Sequence, residues 1–245
     1  MANSLYTVTV KPTITASLQN AGAFANKELL FDWTEFYVPV GIGRLVGIAA
    51  FVRGTDGVKQ REAFELYFSK SDDFSLGTIN SVVGMQPNND FIGAADIEKK
   101  HYFTALDTMA IANAKFSYSG VNLPSIKEPL GTGIKNTGRH VIYVGGVDTG
   151  VGTNFDFSST VSCTGIQATT QSTLTVGTTS ALINFGPGDV LHDEDDRLLG
   201  TVKTVNSATE MTMVDNLANA TVNAKKVYNL NPIVLQLTFG ATASL

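Results

Sequence analysis

Alternation of apolar and polar residues with a period of two starts within the first ten positions of the chain. Tyr6-Thr7-Val8-Thr9-Val10 carries it, followed by Leu29 to Val38 and by Leu45 to Arg53, which ends at the turn residues Gly54-Thr55-Asp56-Gly57. A strand points successive side chains to opposite faces, so each run predicts a strand half buried in a sheet. Phe64-Glu65-Leu66-Tyr67-Phe68 alternates as cleanly and gives way to the turn-rich Ser69-Lys70-Ser71-Asp72-Asp73. Shorter candidate strands are Ser75 to Gly84, His101 to Leu106, Ala114 to Tyr118, Val141 to Gly145 and Asn154 to Val161. Asp107 to Asn113 contains Ala, Met and Ile but has no capping box and no i, i+4 stripe, so it is expected as strand or loop. About eight short strands without a long helix predict a β-sandwich, most naturally a jelly roll.

The pattern changes after about Cys163. Thr164 to Ser180 is Thr-rich and uncharged, and Gly186-Pro187-Gly188-Asp189 opens a meander: Val190 to His192, the acidic turn Asp193-Glu194-Asp195-Asp196, Leu198 to Val205, the turn Asn206-Ser207-Ala208, and Glu210 to Val214. With Ser172 to Val176 before it and Lys225 to Tyr228 after it, the block has about five strands, enough for a small barrel. Pro232 to Phe239 is a strong apolar strand beyond the block, and it needs the cover of a larger sheet. The expected fold is all-β: a jelly-roll-like β-sandwich from residues 1–163 plus 230–245, with a small inserted β-barrel or meander module at 164–229.

Composition narrows the partners. Only 16% of the 245 residues are charged, against about 25% in average proteins. Short neutral polar side chains cost little to desolvate when they find partners, which suits a surface that packs on others. A net charge of -5 offers no basic footprint for phosphates, so no nucleic acid is expected as partner. No run approaches the ~18 apolar residues of a membrane helix, so no membrane partner is expected. Met1 to Leu5 has neither a basic nor an apolar leader region, and the chain is expected to start near Met1 and to be made in a cytoplasm. The single cysteine, Cys163, excludes an internal disulfide and reads as a small strand residue.

Gly188-Asp189-Val190-Leu191, Leu199-Gly200-Thr201-Val202, Val205-Asn206-Ser207-Ala208-Thr209 and Met211-Thr212-Met213 together resemble a small β module of tailed-bacteriophage virion proteins. Leu30-Phe31-Asp32-Trp33-Thr34 and Val52-Arg53-Gly54-Thr55 are similar to runs in the jelly-roll part of phage head decoration (cement) proteins. The resemblance implies a capsid-surface location on the virion, the major capsid protein as partner, self-association as a homotrimer, and no catalytic residues.

The candidate chemistry is sparse. His101, His140 and His192 stand far apart without metal-ligand spacing. Gly131 to Gly138 has the Gly and Lys content of a phosphate loop without its Gly-Lys-Ser/Thr order, and Gly145 to Gly152 reads as a Gly-rich connection. Asp193 to Asp196 is dense enough to suggest Ca²⁺ but lacks EF-hand spacing, and a solvated hairpin tip that discourages aggregation is the stronger reading. Phe31 and Trp33 are expected on one face of their strand and Phe36 on the other, as core rather than as a sugar-stacking platform. Asn219-Ala220-Thr221 matches a glycosylation acceptor by letter alone.

No catalytic, cofactor-binding or metal-binding residue is assigned. The leading expectation is a non-enzymatic virion protein that binds and stabilises the outer capsid surface, with Met1 to Gly22 as an arm completing a neighbour's sheet. The alternatives are a tail or fibre component binding a host surface glycan, and a carbohydrate-active enzyme, which needs paired carboxylates.

Overall fold

A computed structural model describes residues 5–39, 42–53, 60–84, 89–104, 109–115, 139–151, 154–177 and 181–241. Seven strands come first: β1 (Leu5–Val10), β2 (Leu29–Pro39), β3 (Ile42–Val52), β4 (Phe64–Ser69), β5 (Phe91–Ile97), β6 (Ala110–Lys115) and β7 (Arg139–Asp148). Short strands β8 (Ser162–Cys163), β9 (Thr173–Gly177), β10 (Val190–Asp193), β11 (Leu198–Ser207), β12 (Glu210–Met213) and β13 (Val227–Asn229) follow, and β14 (Ile233–Ala241) ends the series. One-turn helices α1 (Ala16–Gln19) and α2 (Ala181–Asn184) sit in the connections.

One four-stranded sheet has the order β1-β14-β3-β6 and the other β2-β7-β4-β5. Counting only these eight strands, the first pairs with the eighth, the second with the seventh, the third with the sixth and the fourth with the fifth, all antiparallel. That is a long folded-back hairpin wound into two sheets, which is a jelly roll. The sheets close on a single core in which Leu45, Val52, Leu235 and Phe239 from one meet Phe36, Leu66, Phe68 and Ile142 from the other. Phe36 stacks on Phe239 across the gap, with ring centroids 6.0 Å apart. The final strand β14 lies between β1 and β3, the position its apolar sequence requires.

Six strands between β7 and β14 form a third sheet in the order β13-β10-β11-β12-β9-β8. A bridge from Ser162 to Lys226 brings its two ends together, giving a nearly closed small barrel. Leu174 and Val176 on β9, Leu191 on β10, and Met211 and Met213 on β12 alternate inward and build its separate core.

Several elements differ from the sequence pattern. Strand β5 is present although Gly93, Ala94 and Ala95 mute its alternation, and Asp107 to Asn113 contributes its second half to β6. Ser75 to Gly84 is no strand; it lies over the outer face of the second sheet, where Leu76 packs with Leu29 and Val147. His101 to Leu106 begins in a 3-10 turn, Lys99–His101, and residues 105–106 lie outside the described ones. Strand β6 starts at Ala110 and ends at Lys115, with 116–118 outside the described residues. Asn154 to Val161 joins no ladder; Phe155 and Phe157 stack on each other and are buried in the sandwich core. Gly145 and Gly146 belong to β7 rather than to a connection. Leu5–Val10 of the proposed arm pairs with β14 of its own chain instead of a neighbour's sheet.

Strand β2 corrects the expected faces of its aromatics. Its register against β7 shifts between Phe31 and Thr34, so the bulged strand gains one residue there. One extra residue reverses the alternation, and Phe31 and Phe36 therefore share the main core while Trp33 packs in the outer cluster. Trp33 donates its Nε1–H to the Phe74 carbonyl at 2.6 Å and meets the Phe74 ring edge to face.

Candidate functional site

Polar contacts between residues far apart in the chain concentrate at the seam between sandwich and barrel. Arg53 follows β3 directly, and its Nη1 donates to Asp189 Oδ2 at 2.5 Å. The Gly186-Pro187-Gly188 turn delivers Asp189, whose Oδ2 also accepts the Gly186 N–H at 2.8 Å. A Cβ on Gly186 would stand 2.4 Å from Arg53 Nη1, so glycine there is what lets the guanidinium approach. Burial holds the Asp189 carboxyl above the usual carboxylate range, while Arg53 and the Gly186 N–H pull it back down.

The far side of the seam is held by the acidic turn. Asp196 Oδ1 accepts the N–H groups of Ala16 and Ser17 at the start of α1. Gln19 donates to the carbonyls of Ile14 at 2.6 Å and Asn229 at 2.7 Å, and the Tyr228 hydroxyl donates to Asn20 Oδ1 at 2.7 Å. Strand β13 is buried along its whole length because one face closes the barrel and the other meets these sandwich residues. Between Gln19, Arg53, Asn184, Phe185, Tyr228 and Asn229 lies a cleft with room of about 20 Å³. That volume suits about one water molecule.

Compared with protein-family models, with curated proteins and with solved structures, the chain matches none.

The remaining candidates fall in separate places. Asp193 is 1% exposed instead of solvated: it is bound by the Arg197 guanidinium and accepts the N–H groups of Asp195 and Arg197. Glu194 and Asp195 pair with Lys225 at 2.9 and 3.0 Å. All four carboxylates of this turn thus already have cationic or N–H partners. Among the described residues no three His, Cys, Asp or Glu side chains assemble as a metal site. His192 lies at the acidic turn with Nδ1 2.9 Å from the Asp196 carbonyl, His101 accepts the Glu98 N–H, and His140 falls opposite Val38 in β7. Cys163 is buried and burial pushes its thiol up to about 11, the opposite of an activated nucleophile. Gly131 to Gly138 lies outside the described residues. Thr221 of the glycosylation match is 1% exposed and its hydroxyl accepts the Gln167 N–H.

One buried acid had no sequence signal. Asp148, at the end of β7, is fully buried, accepts the Gly150 N–H at 2.6 Å, and is pushed up to about 6 by desolvation. The Arg53–Asp189 pair was equally silent, because 136 residues separate its members; only the Gly-Pro-Gly-Asp turn marked one end.

Proposed function

We propose that this chain is a non-enzymatic structural protein of a tailed-phage virion, which decorates the outer capsid surface and associates with itself as a homotrimer. The observation that carries the reading is the architecture: a jelly roll with a small barrel inserted between its seventh and eighth strands and tied back to it by Arg53–Asp189 and Asp196. Such a body offers two adjoining all-β surfaces for neighbours. Exposed Ile166, Leu198, Val214 and Val222 on the barrel, set among short neutral side chains, lose water at little polar cost when a neighbour covers them. Each bound copy then stabilises the shell by mass action, since it binds the assembled lattice and not free subunits.

The test is the mass of the purified protein by light scattering, followed by co-sedimentation with phage heads that lack it. A trimer that pellets with heads is expected. A monomer that ignores heads and binds host envelopes instead overturns decoration in favour of a tail adhesin.

A further inference from the structure

The sheet β2-β7-β4-β5 has an outer face that the described residues cover only in part. Ser75 to Gly84 lies over the corner built from Leu29, Trp33, Gly145 and Val147, and its edge reaches Tyr67. Beyond that corner the register sets Tyr37 of β2 opposite Val141 of β7 and Glu35 opposite Tyr143. Tyr67 of β4 stands opposite Gly145, and Glu65 opposite Asp96 of β5. These positions alternate with the core residues Phe36, Ile142, Val144, Leu66 and Ala95, so they face outward. Tyr37, Tyr143, Tyr67 and Asp96 therefore step diagonally across the four strands, each about 7–8 Å from the next. Tyr37 is 42% exposed, and the Tyr67 ring lies against Phe91 with centroids 5.9 Å apart.

The face is of one sign and short of donors. Tyr37 donates its hydroxyl to Glu35, and Tyr67 donates to Glu65 at 2.7 Å, so these protons are used within the face and acceptor oxygens remain. Glu65 and Asp96 stand opposite each other on neighbouring strands, an arrangement of like charges that costs stability. Among the described residues no lysine or arginine forms an ion pair with Glu35, Glu65 or Asp96. A second copy of this face or a phosphate backbone would be repelled, and a neutral sugar would leave the Glu65–Asp96 conflict in place. A cation resting on a tyrosine ring beside a carboxylate answers both the ring and the charge. In an extended chain alternate residues lie about 7 Å apart, which matches the diagonal step. We propose that the open part of this face docks an extended basic protein segment, whose alternate lysine or arginine residues rest on Tyr37, Tyr143 and Tyr67 and pair with Glu35, Glu65 and Asp96. This chemistry holds whether the segment belongs to a capsid or to another protein.

The test is an amide-resolved NMR titration of the full chain at low salt with a short capped peptide of alternating threonine and arginine. Shifts confined to β2, β7, β4 and β5 are expected, with weaker binding of a peptide of the same composition whose arginines are consecutive. Glu35→Gln with Glu65→Gln is expected to weaken binding about tenfold. Glu210→Gln with Asp215→Asn on the barrel removes equal charge and should leave binding unchanged. No binding, equal losses from the two pairs, or shifts spread over the molecule overturn the docking face. Shifts at the same residues with maltohexaose but not with the peptide overturn it in favour of a glycan. Without any ligand, Asp96→Asn is expected to raise the melting temperature at low salt, a gain that added salt narrows. A lower melting temperature refutes the charge conflict on which the choice of a basic partner rests.

Discussion

Two glycines of β7, Gly145 and Gly146, make room for Leu76 on the outer face of the sheet and for Phe31 in the core. A Cβ on Gly146 would lie 2.3 Å from Phe31 Cε1, and Phe31 is fully buried with nowhere to retreat. Gly146→Ala is therefore expected to cost about 2 kcal/mol or more, read as a lower urea midpoint; an unchanged midpoint would show that Phe31 moves freely. Asp148 makes a different statement at the same scale. Its folded pKa, about 6, lies above the ordinary value of 3.8, so in that window the folded protein binds a proton more readily than the unfolded chain. The stability due to this group is thus fully present below about pH 4 and is lost as the pH rises through 6, by at most about 3 kcal/mol. Asp148→Asn removes the titration. Its melting temperature relative to the wild type should climb from pH 4 to pH 7, and a difference that stays flat would refute the burial effect.

At the scale of elements, the seam depends on loop residues that follow strands rather than on the strands themselves. Arg53 follows β3, and Asp189 and Asp196 flank β10, so the barrel is fastened at both ends of one short strand. Asp196 adopts a left-handed φ of 60° at the tip of the β10–β11 turn, a conformation Asp tolerates, and there its carboxylate meets the N–H groups of α1. Removing one member of the Arg53–Asp189 pair strands the other at the seam. Asp189→Ala is expected to lose roughly 3 kcal/mol, while the double change Arg53→Met with Asp189→Ala should recover part of that. Denaturant titration of the three variants checks it, and a double variant less stable than Asp189→Ala would count against the ion pair as the fastening.

For the whole molecule, the two cores share no residue, and the chain enters and leaves the barrel at one place. Val161 accepts the Val227 N–H at 2.8 Å, so excising residues 162–226 and joining these neighbours leaves the path of the sandwich intact. The shortened chain is expected to fold as a β-sandwich with a lower melting temperature, since the contacts of Asp189 and Asp196 are gone. Circular dichroism and a melting curve decide, and a chain without a cooperative transition would mean that the sandwich needs the barrel to fold.

Alternation alone located β1, β2, β3, β4 and β14, the meander of the barrel and the return of the last strand to the sandwich, because each strand buries one face and sequence records which residues tolerate burial. Local pattern failed where burial comes from elsewhere. Strand β5 is held at the edge of its sheet by β4 despite its small residues, Ser75 to Gly84 spends its apolar residues on covering a sheet, and a one-residue bulge moved Trp33 out of the main core. The seam was least legible: Gln19 and Arg53 are unremarkable in sequence and gain their roles only from neighbours brought together by the jelly-roll winding. Burial periodicity is a local property of a chain, whereas the pairing of charges and amides depends on distances that exist only after long-range contacts have formed.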